Sequence, residues 1–412
     1  MEVANDAGDL EVAAGASGRR GAGCTARVIK VAVDATPLLG QRTGVGEFCS
    51  GILRAMAGME ELDVSAFAVS WRRRGELVPL LPQGIAALQH PMPARPMHWL
   101  WRAASRPAVE WWVGHPDVVH GTNYVVPPTR RAARVVSIHD LSTVKYPELC
   151  EQATLVFPAL MRSAIADGAW VVVPSSFVAS EVQESLGAAQ DRVRVVPYGV
   201  PTARAAASNA EGLDGALAKE PESVASLPGW VRRYILALGT LEPRKDLPSL
   251  VQAFDAIAGE RKDLALVVAG RDGWGAGAFD EAVSRARFSG QVLRLGYVSE
   301  ADRDQLLAGA AVFAYPSLYE GFGFPPLEAM RAGVPVVATT AGSLPEVVGG
   351  AAITVEPGDV DALAGALEML LDSSEVRSRL IAMGKARSAE LTWDRCARGL
   401  LDVYRAATVQ SS

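Results

Sequence analysis

Apolar residues along this chain fall mainly into short, unbroken β-branched runs. In the first half the runs are Val28–Val33, Val64–Val69, Val118–His120, Val135–His139, Trp170–Pro174 and Val193–Val196. In the second half they are Tyr234–Gly239, Leu264–Gly270, Val292–Leu295, Val312–Tyr315, Val334–Ala338 and Ala352–Val355. A strand that is apolar at successive positions is covered on both faces, which is the habit of parallel sheets. Stretches with helical spacing, such as Leu250–Ala258 and Ala301–Ala310, follow the runs. Repeated strand–helix alternation predicts right-handed crossovers and a parallel α/β sheet.

Between the two sets of runs lies Pro201–Trp230, rich in Ala, Ser, Glu, Gly and Pro and without apolar periodicity. It reads as a linker or surface insertion. The chain therefore divides into a mobile tail over 1–26, an α/β domain over 27–200, the linker over 201–230 and a second α/β domain over 231–392. A final segment over 393–412 places Trp393, Cys396, Leu400, Leu401 and Tyr404 at helical spacing, suited to packing back across the domain boundary. Two α/β domains on one linker imply a cleft faced by the carboxyl ends of both sets of strands.

Composition narrows the function. The 412 residues carry 40 Lys+Arg against 46 Asp+Glu, a formal charge of −6. An acidic chain is a poor partner for nucleic acid, whose binding relies on displacing counterions with basic surfaces. Cys24, Cys49, Cys150 and Cys396 are far apart, without metal-type spacing, and read as reduced thiols of a cytoplasmic protein. Residues 1–26 have no apolar core of the kind a secretory signal needs. No run approaches the roughly 18 apolar residues that span a bilayer.

The most informative stretch is Tyr315-Pro-Ser-Leu-Tyr-Glu-Gly-Phe-Gly-Phe-Pro-Pro-Leu-Glu-Ala-Met330. A strand ends at Tyr315, a loop holding Gly321 and Gly323 follows, and Pro325 and Pro326 open a helix, where a missing N–H costs nothing. The helix start turns free N–H groups and its positive dipole end toward an anion, for which a diphosphate is suitable. Glu320 in the loop and Glu328 in the expected first turn accept hydrogen bonds from hydroxyls rather than from phosphate. Hydroxyls on both sides of a phosphate describe a nucleotide sugar. In Gly239-Thr-Leu-Glu-Pro-Arg-Lys-Asp246 the adjacent cations Arg244 and Lys245 sit where a strand gives way to a helix, placed to neutralise a diphosphate. In the first domain, Gly44-Val45-Gly46 forms a loop tip that admits close backbone approach. It is not the Gly-x-Gly-x-x-Gly dinucleotide fingerprint. His139 and His120 each end a strand at the same rim.

These motifs together resemble the retaining glycosyltransferases of family 4, which have the GT-B fold: two Rossmann-like parallel-sheet domains facing a central cleft. The likeness runs from Val28 to about Tyr404 and rests on Glu-x7-Glu, here Glu320 and Glu328. It is supported by Gly-Thr-Leu-Glu-Pro-Arg-Lys, Val-Ala-Gly-Arg-Asp-Gly-Trp274, Gly-Tyr-Val298 and Ser-Leu-Pro-Glu-Val347. The resemblance implies that Glu320 holds hydroxyls of the transferred sugar and Glu328 those of the ribose. It implies that Arg244 and Lys245 bind the diphosphate, with backbone N–H groups from Gly321, Phe322, Gly323 and Phe324. The Gly44–Gly46 loop would close over phosphate and sugar, and His139 would contact the sugar near the reacting carbon. The base would lie near Gly270, Arg271, Tyr297 and Val298, with Gly239 also among the donor-binding residues. No divalent metal and no separate cofactor are implied, and transfer retains the α configuration.

The Phe-Gly-Phe-Pro-Pro-Leu-Glu version is similar to that of mannosyltransferases using GDP-mannose. The expected acceptor is a glycan, a lipid-linked glycan or a small-molecule hydroxyl. The segment Trp71–Trp112 holds five of the nine tryptophans, with Arg72, Arg73, Arg74, Arg95, Arg102 and Arg106 against only Glu76 and Glu110. Aromatics interleaved with arginines suit an anionic membrane surface or a lipid-linked acceptor, and a cytoplasmic protein peripheral at the inner face of a membrane. The same pattern also suits aromatics packed under a long loop. Two further functions remain open on this architecture: a sugar-nucleotide isomerase (epimerase), and a non-catalytic sugar-nucleotide-binding protein.

Overall fold

The computed structural model describes residues 27–40, 43–201 and 227–409. The expected tail over 1–26 and nearly all of the expected linker lie outside the described residues. Two parallel sheets are present. The first comprises β1 (Ile29–Asp34), β2 (Leu62–Phe67), β3 (Ala86–Leu88), β4 (Val118–Gly121), β5 (Ala133–Ser137), β6 (Trp170–Val173) and β7 (Val193–Val195), in the order 3-2-1-4-5-6-7. The second comprises β8 (Arg233–Leu238), β9 (Leu264–Ala269), β10 (Val292–Gly296), β11 (Val312–Tyr315), β12 (Val336–Thr339) and β13 (Ile353–Val355), in the order 10-9-8-11-12-13. Every strand predicted from an apolar run is present.

The sequence pattern misses β3. It is a three-residue edge strand of two alanines and a leucine, none of them fully buried, so it carries neither β-branching nor a continuous apolar signal. The run beginning at Val334 yields a strand only from Val336, because Pro335 has no N–H to give the ladder. Its carbonyl still accepts from Phe313 N at 2.9 Å.

Strand order reverses between β1 and β4 in one sheet and between β8 and β11 in the other. Loops leaving adjacent strands in opposite directions open a crevice at such a switch point. The segments after β8 and β11 are those that hold Arg244, Lys245 and Glu320, so topology alone sets the predicted cations beside the predicted acid.

Helix α1 (Gly44–Met56) begins at Gly44, so Gly44–Gly46 form its first turn rather than a loop tip. Thr43 is extended at the N-cap and its side chain accepts from Gly46 N at 3.4 Å, which fixes the helix start ahead of the glycines. Further helices include α2 (Ala94–Ala104), α3 (Glu110–Val113), α4 (Ser176–Leu186), α5 (Glu300–Gly309), α6 (Phe324–Ala332) and α7 (Trp393–Val409). Helix α7 buries Cys396, Leu400, Leu401 and Tyr404 against α1 and the first sheet. The chain thus returns to its first domain. Trp393 lies over Gly51 and Gly199, where an added Cβ would come within 2.3 and 2.6 Å of its ring.

Candidate active site

The second domain gathers three of the predicted residues. Pro243–Lys245 form a single 3₁₀ turn after β8, closed by Asp246 in the left-handed region at φ 45°. This turn delivers both cations to the loop after β11. Lys245 Nζ lies 2.5 Å from Glu320 Oε1 and 2.6 Å from the Tyr315 hydroxyl. Arg244 Nη1 lies 3.0 Å from Glu320 Oε2. The loops are also stitched by Leu318 N donating to Arg244 O at 2.8 Å. Burial alone would raise the Glu320 carboxyl, but the charges of Arg244 and Lys245 outweigh it and hold the group down at about 2.

Glu242 changes this charge balance. Its Oε2 lies 3.2 Å from Arg244 Nη2, and Asp140 also acts on Arg244 through its charge, so the cations are already engaged by carboxylates without a ligand. Glu242, two positions before Arg244, is the residue of this stretch that the motif reading did not single out. An incoming diphosphate must therefore draw on the cations in competition with Glu242 and Glu320, and on backbone donors as well. Gly323, left-handed at φ 96°, forms the N-cap of α6. Pro325 and Pro326 lie in its opening turn, as their chemistry requires.

Glu328 does not join the cluster. Because α6 begins at Phe324, Glu328 falls in the second turn rather than the first. It is buried and paired with Arg303 of α5. The two line a cavity of about 250 Å³ between the domains, with Glu47, Arg54, Arg331 and Trp393 on other walls. Of the residues expected near a base, Val298 is buried in the core and Tyr297 is 54% exposed. Arg271 offers its carbonyl to Leu241 N at 2.9 Å. Gly239 lies against the Lys245 side chain, a Cβ there coming within 3.7 Å of Cε.

The first domain meets this site along His139. A Cβ on Gly321 would lie 1.9 Å from His139 O and 2.8 Å from the Asp140 Cβ, so only glycine permits this approach. Gly44, at the start of α1, faces Phe324, with a Cβ placed 3.5 Å from the ring. Both imidazole nitrogens of His139 are engaged. Nε2 donates to Thr122 O at 2.8 Å, and Nδ1 accepts from the Tyr198 hydroxyl at 2.7 Å. The imidazole is neutral, and burial presses its pKa down to about 4. It is therefore the backbone carbonyl, not the ring edge, that stands against the glycine-rich loop.

Two models of known families match consecutive parts of the chain: Glycosyltransferase Family 4 over residues 42–204 and Glycosyl transferases group 1 over 229–387. O-antigen chain mannosyltransferase B of Escherichia coli is 32% identical over 290 residues, covering 70% of this chain and 74% of that protein. The chain belongs to glycosyltransferase family 4. This glycosyltransferase also has a relative in Corynebacterium glutamicum, a GDP-mannose-dependent monoacylated alpha-(1-6)-phosphatidylinositol monomannoside mannosyltransferase. That protein is 35% identical over 165 residues, 37% of this chain and 42% of its own. The fold is that of a sucrose-phosphate synthase from Thermosynechococcus elongatus, with a TM-score of 0.70 at 20% identity over 93% of this chain and all of that one. The GT-B architecture expected from the motifs is thus the architecture found.

Several residues that the motifs did not single out hold the glycosyltransferase's two domains together. Tyr198, buried at the end of the first domain, packs on Phe322 and stacks on Phe324 with ring centroids 5.0 and 5.8 Å away. Tyr319, next to Glu320, crosses to the first domain. Its hydroxyl accepts from Leu141 N at 2.9 Å and donates to the Glu181 carboxylate. Ser175 Oγ donates to Gly321 O at 3.0 Å. Glu346, within the Ser-Leu-Pro-Glu-Val347 motif, accepts from Ser176 N at the start of α4 at 2.9 Å, where the helix dipole favours a carboxylate. Among the described residues, no group of three or more His, Cys, Asp or Glu side chains is gathered to hold a metal ion.

Proposed function

We propose that this glycosyltransferase moves mannose from GDP-mannose to a hydroxyl of a glycan, a lipid-linked glycan or a small molecule, forming an α linkage with retention and without a metal ion. The observation that carries this reading is the Arg244–Glu320–Lys245 cluster at the carboxyl end of the second sheet, directly beneath the His139–Gly321 contact. Mannose as the transferred sugar is supported by the mannosyltransferase activity in the names of the two relatives. GDP is supported by the donor named for the Corynebacterium protein.

In this mechanism Arg244, Lys245 and the first-turn N–H groups of α6 stabilise the negative charge that develops on the departing diphosphate. The bond from the anomeric carbon to the phosphate oxygen breaks while the acceptor oxygen bonds to the same face of that carbon. The acceptor's proton passes to the leaving phosphate oxygen. Glu320, held ionised, accepts hydrogen bonds from sugar hydroxyls, and Glu328 with Arg303 frames the ribose end of the interdomain cavity. No carboxylate nucleophile of the glycosidase kind is needed.

The test is thermal unfolding of the purified protein against GDP, UDP, dTDP and ADP at matched concentration. A ligand at about 100 times its Kd adds roughly 2.7 kcal/mol of stability, visible as a shift of a few degrees. A shift selective for GDP and lost in Lys245→Ala supports the donor assignment. Product analysis with GDP-mannose then distinguishes the reaction: glycoside only when acceptor is present marks a transferase, and an altered sugar nucleotide without acceptor would mark an isomerase.

A further inference from the structure

Three tryptophans of the first domain stand in solvent: Trp71, Trp99 and Trp111 are 57%, 60% and 73% exposed. On α2 the inward positions are Met97 and Trp101, both buried, whereas Trp99 and Arg102, three positions apart and so neighbours on one face, are exposed. The three tryptophan-bearing segments are joined by hydrogen bonds into one lip. Met92 N donates to Ser70 O at 3.2 Å, which ties the start of α2 to the Trp71 turn. Trp101 Nε1 donates to Pro107 O at 3.1 Å and folds the chain after α2 back against it. Glu110 of α3 then accepts from Arg130 N and Arg131 N at 2.6 and 3.0 Å, which adds the loop before β5.

The charge on this lip is mainly positive. Arg72, Arg102, Arg106, Arg130 and Arg131 are exposed, and among the described residues none of them forms an ion pair. Of the two acids between Trp71 and Trp112, Glu76 is held by Arg73 at 2.6 Å, and Glu110 turns one carboxylate oxygen to backbone N–H groups while the other is buried. A chain with a net charge of −6 thus gathers unpaired guanidinium groups around three uncovered indoles. Indoles settle at the headgroup level of a bilayer, and arginines pair with lipid phosphates. No helix of the described residues is long and apolar enough to cross a membrane.

We propose that this lip docks the enzyme on the surface of a bilayer rich in anionic phospholipid, with Trp71, Trp99 and Trp111 at headgroup depth and the arginines on phosphates. This goes beyond the donor reading and stands whether or not the donor is GDP-mannose.

The experiment is co-sedimentation of the full chain with phosphatidylcholine vesicles, with and without phosphatidylglycerol. Each arginine near an anionic surface contributes about fivefold in binding. The wild type should therefore bind the mixed vesicles at least about tenfold more strongly than phosphatidylcholine alone, and high salt should weaken the difference. The triple variant R72S/R102S/R106S should lose about a hundredfold. The double variant W99S/W111S should bind weakly even at low salt. All three positions of charge and both tryptophans are on the surface, so melting temperature and the GDP-dependent shift should match the wild type and certify the fold. Binding that is equal with and without phosphatidylglycerol, or unchanged in both variants, overturns the proposal. So does a protein that ignores vesicles but sediments as a dimer abolished by W99S/W111S, which would make the lip an interface between copies.

Discussion

Lys245 and Glu320 leave adjacent strands of the second sheet and meet at 2.5 Å, with Arg244 on the other carboxylate oxygen. All three side chains are largely shielded from water, so each group depends on the others for its charged state. The same relationship makes the cluster both a structural element and a chemical one, and the two roles separate in different variants.

Removing the acid tests the structural role. Glu320→Ala leaves Arg244 and Lys245 facing each other without their shared counterion. Breaking a buried pair in this way costs about 3–5 kcal/mol, and Glu320→Gln should cost less because its amide oxygen still accepts one hydrogen bond. Urea unfolding curves of the three proteins check the order; an unchanged midpoint for the alanine variant would show the cluster to be open to water.

Removing a cation tests the chemical role. Lys245→Ala should lower the transfer rate by on the order of 10²–10³ and weaken GDP binding, while Glu320 keeps Arg244 as its partner. A steady-state assay with the donor reads this directly. A variant that retains wild-type turnover would sink the leaving-group assignment.

At Gly321 the second domain lies directly against the His139 carbonyl of the first. A methyl group there would collide with the His139 carbonyl, so Gly321→Ala should wedge the cleft open. Turnover should fall at least about a hundredfold, as reacting groups held out of register lose their proximity. Small-angle scattering should show a larger radius of gyration with secondary structure unchanged by circular dichroism. Compact particles with full activity would contradict the closed geometry.

The buried histidines should contribute an acid-sensitive part of the stability. Burial lowers His139 from 6.5 to about 4 and His120 from 6.5 to about 3. Between pH 6.5 and 4 the unfolded chain therefore binds protons that the folded one refuses, and stability falls as pH falls. Asp34 works the other way, since burial raises it from 3.8 to about 6 and the folded state holds the extra proton in that window. His98, also lowered by burial, adds to the histidine contribution, while Glu181 and Asp246, also raised by burial, add to that of Asp34, so the contribution of each histidine is read as the difference between its variant and the wild type. Glu320, lowered from 4.5 to about 2, adds to the loss below pH 4.5. Melting temperature across this range measures the slope, and His139→Gln should make it shallower.

The fold and half of the site were legible in the chain itself because both depend on local pattern. Continuous β-branched runs report burial on both faces, and the glycine–proline spacing of residues 321–326 reports a loop opening a helix. Arg244, Lys245 and Glu320 follow strands that any parallel sheet of this order sets side by side. The sequence also determined the Trp–Arg content of residues 71–112, but not which rings would be covered: Trp101 went inward and Trp99 outward by helical phase. Tertiary structure alone decided the rest. Glu242 pairing with Arg244, Glu328 turning to Arg303, and Tyr198 closing on Nδ1 of His139 are pairings between side chains whose orientation is set by packing. Such choices arise when two domains close on each other and buried charges and hydroxyls must each find a partner, and no spacing along a single strand or helix encodes them.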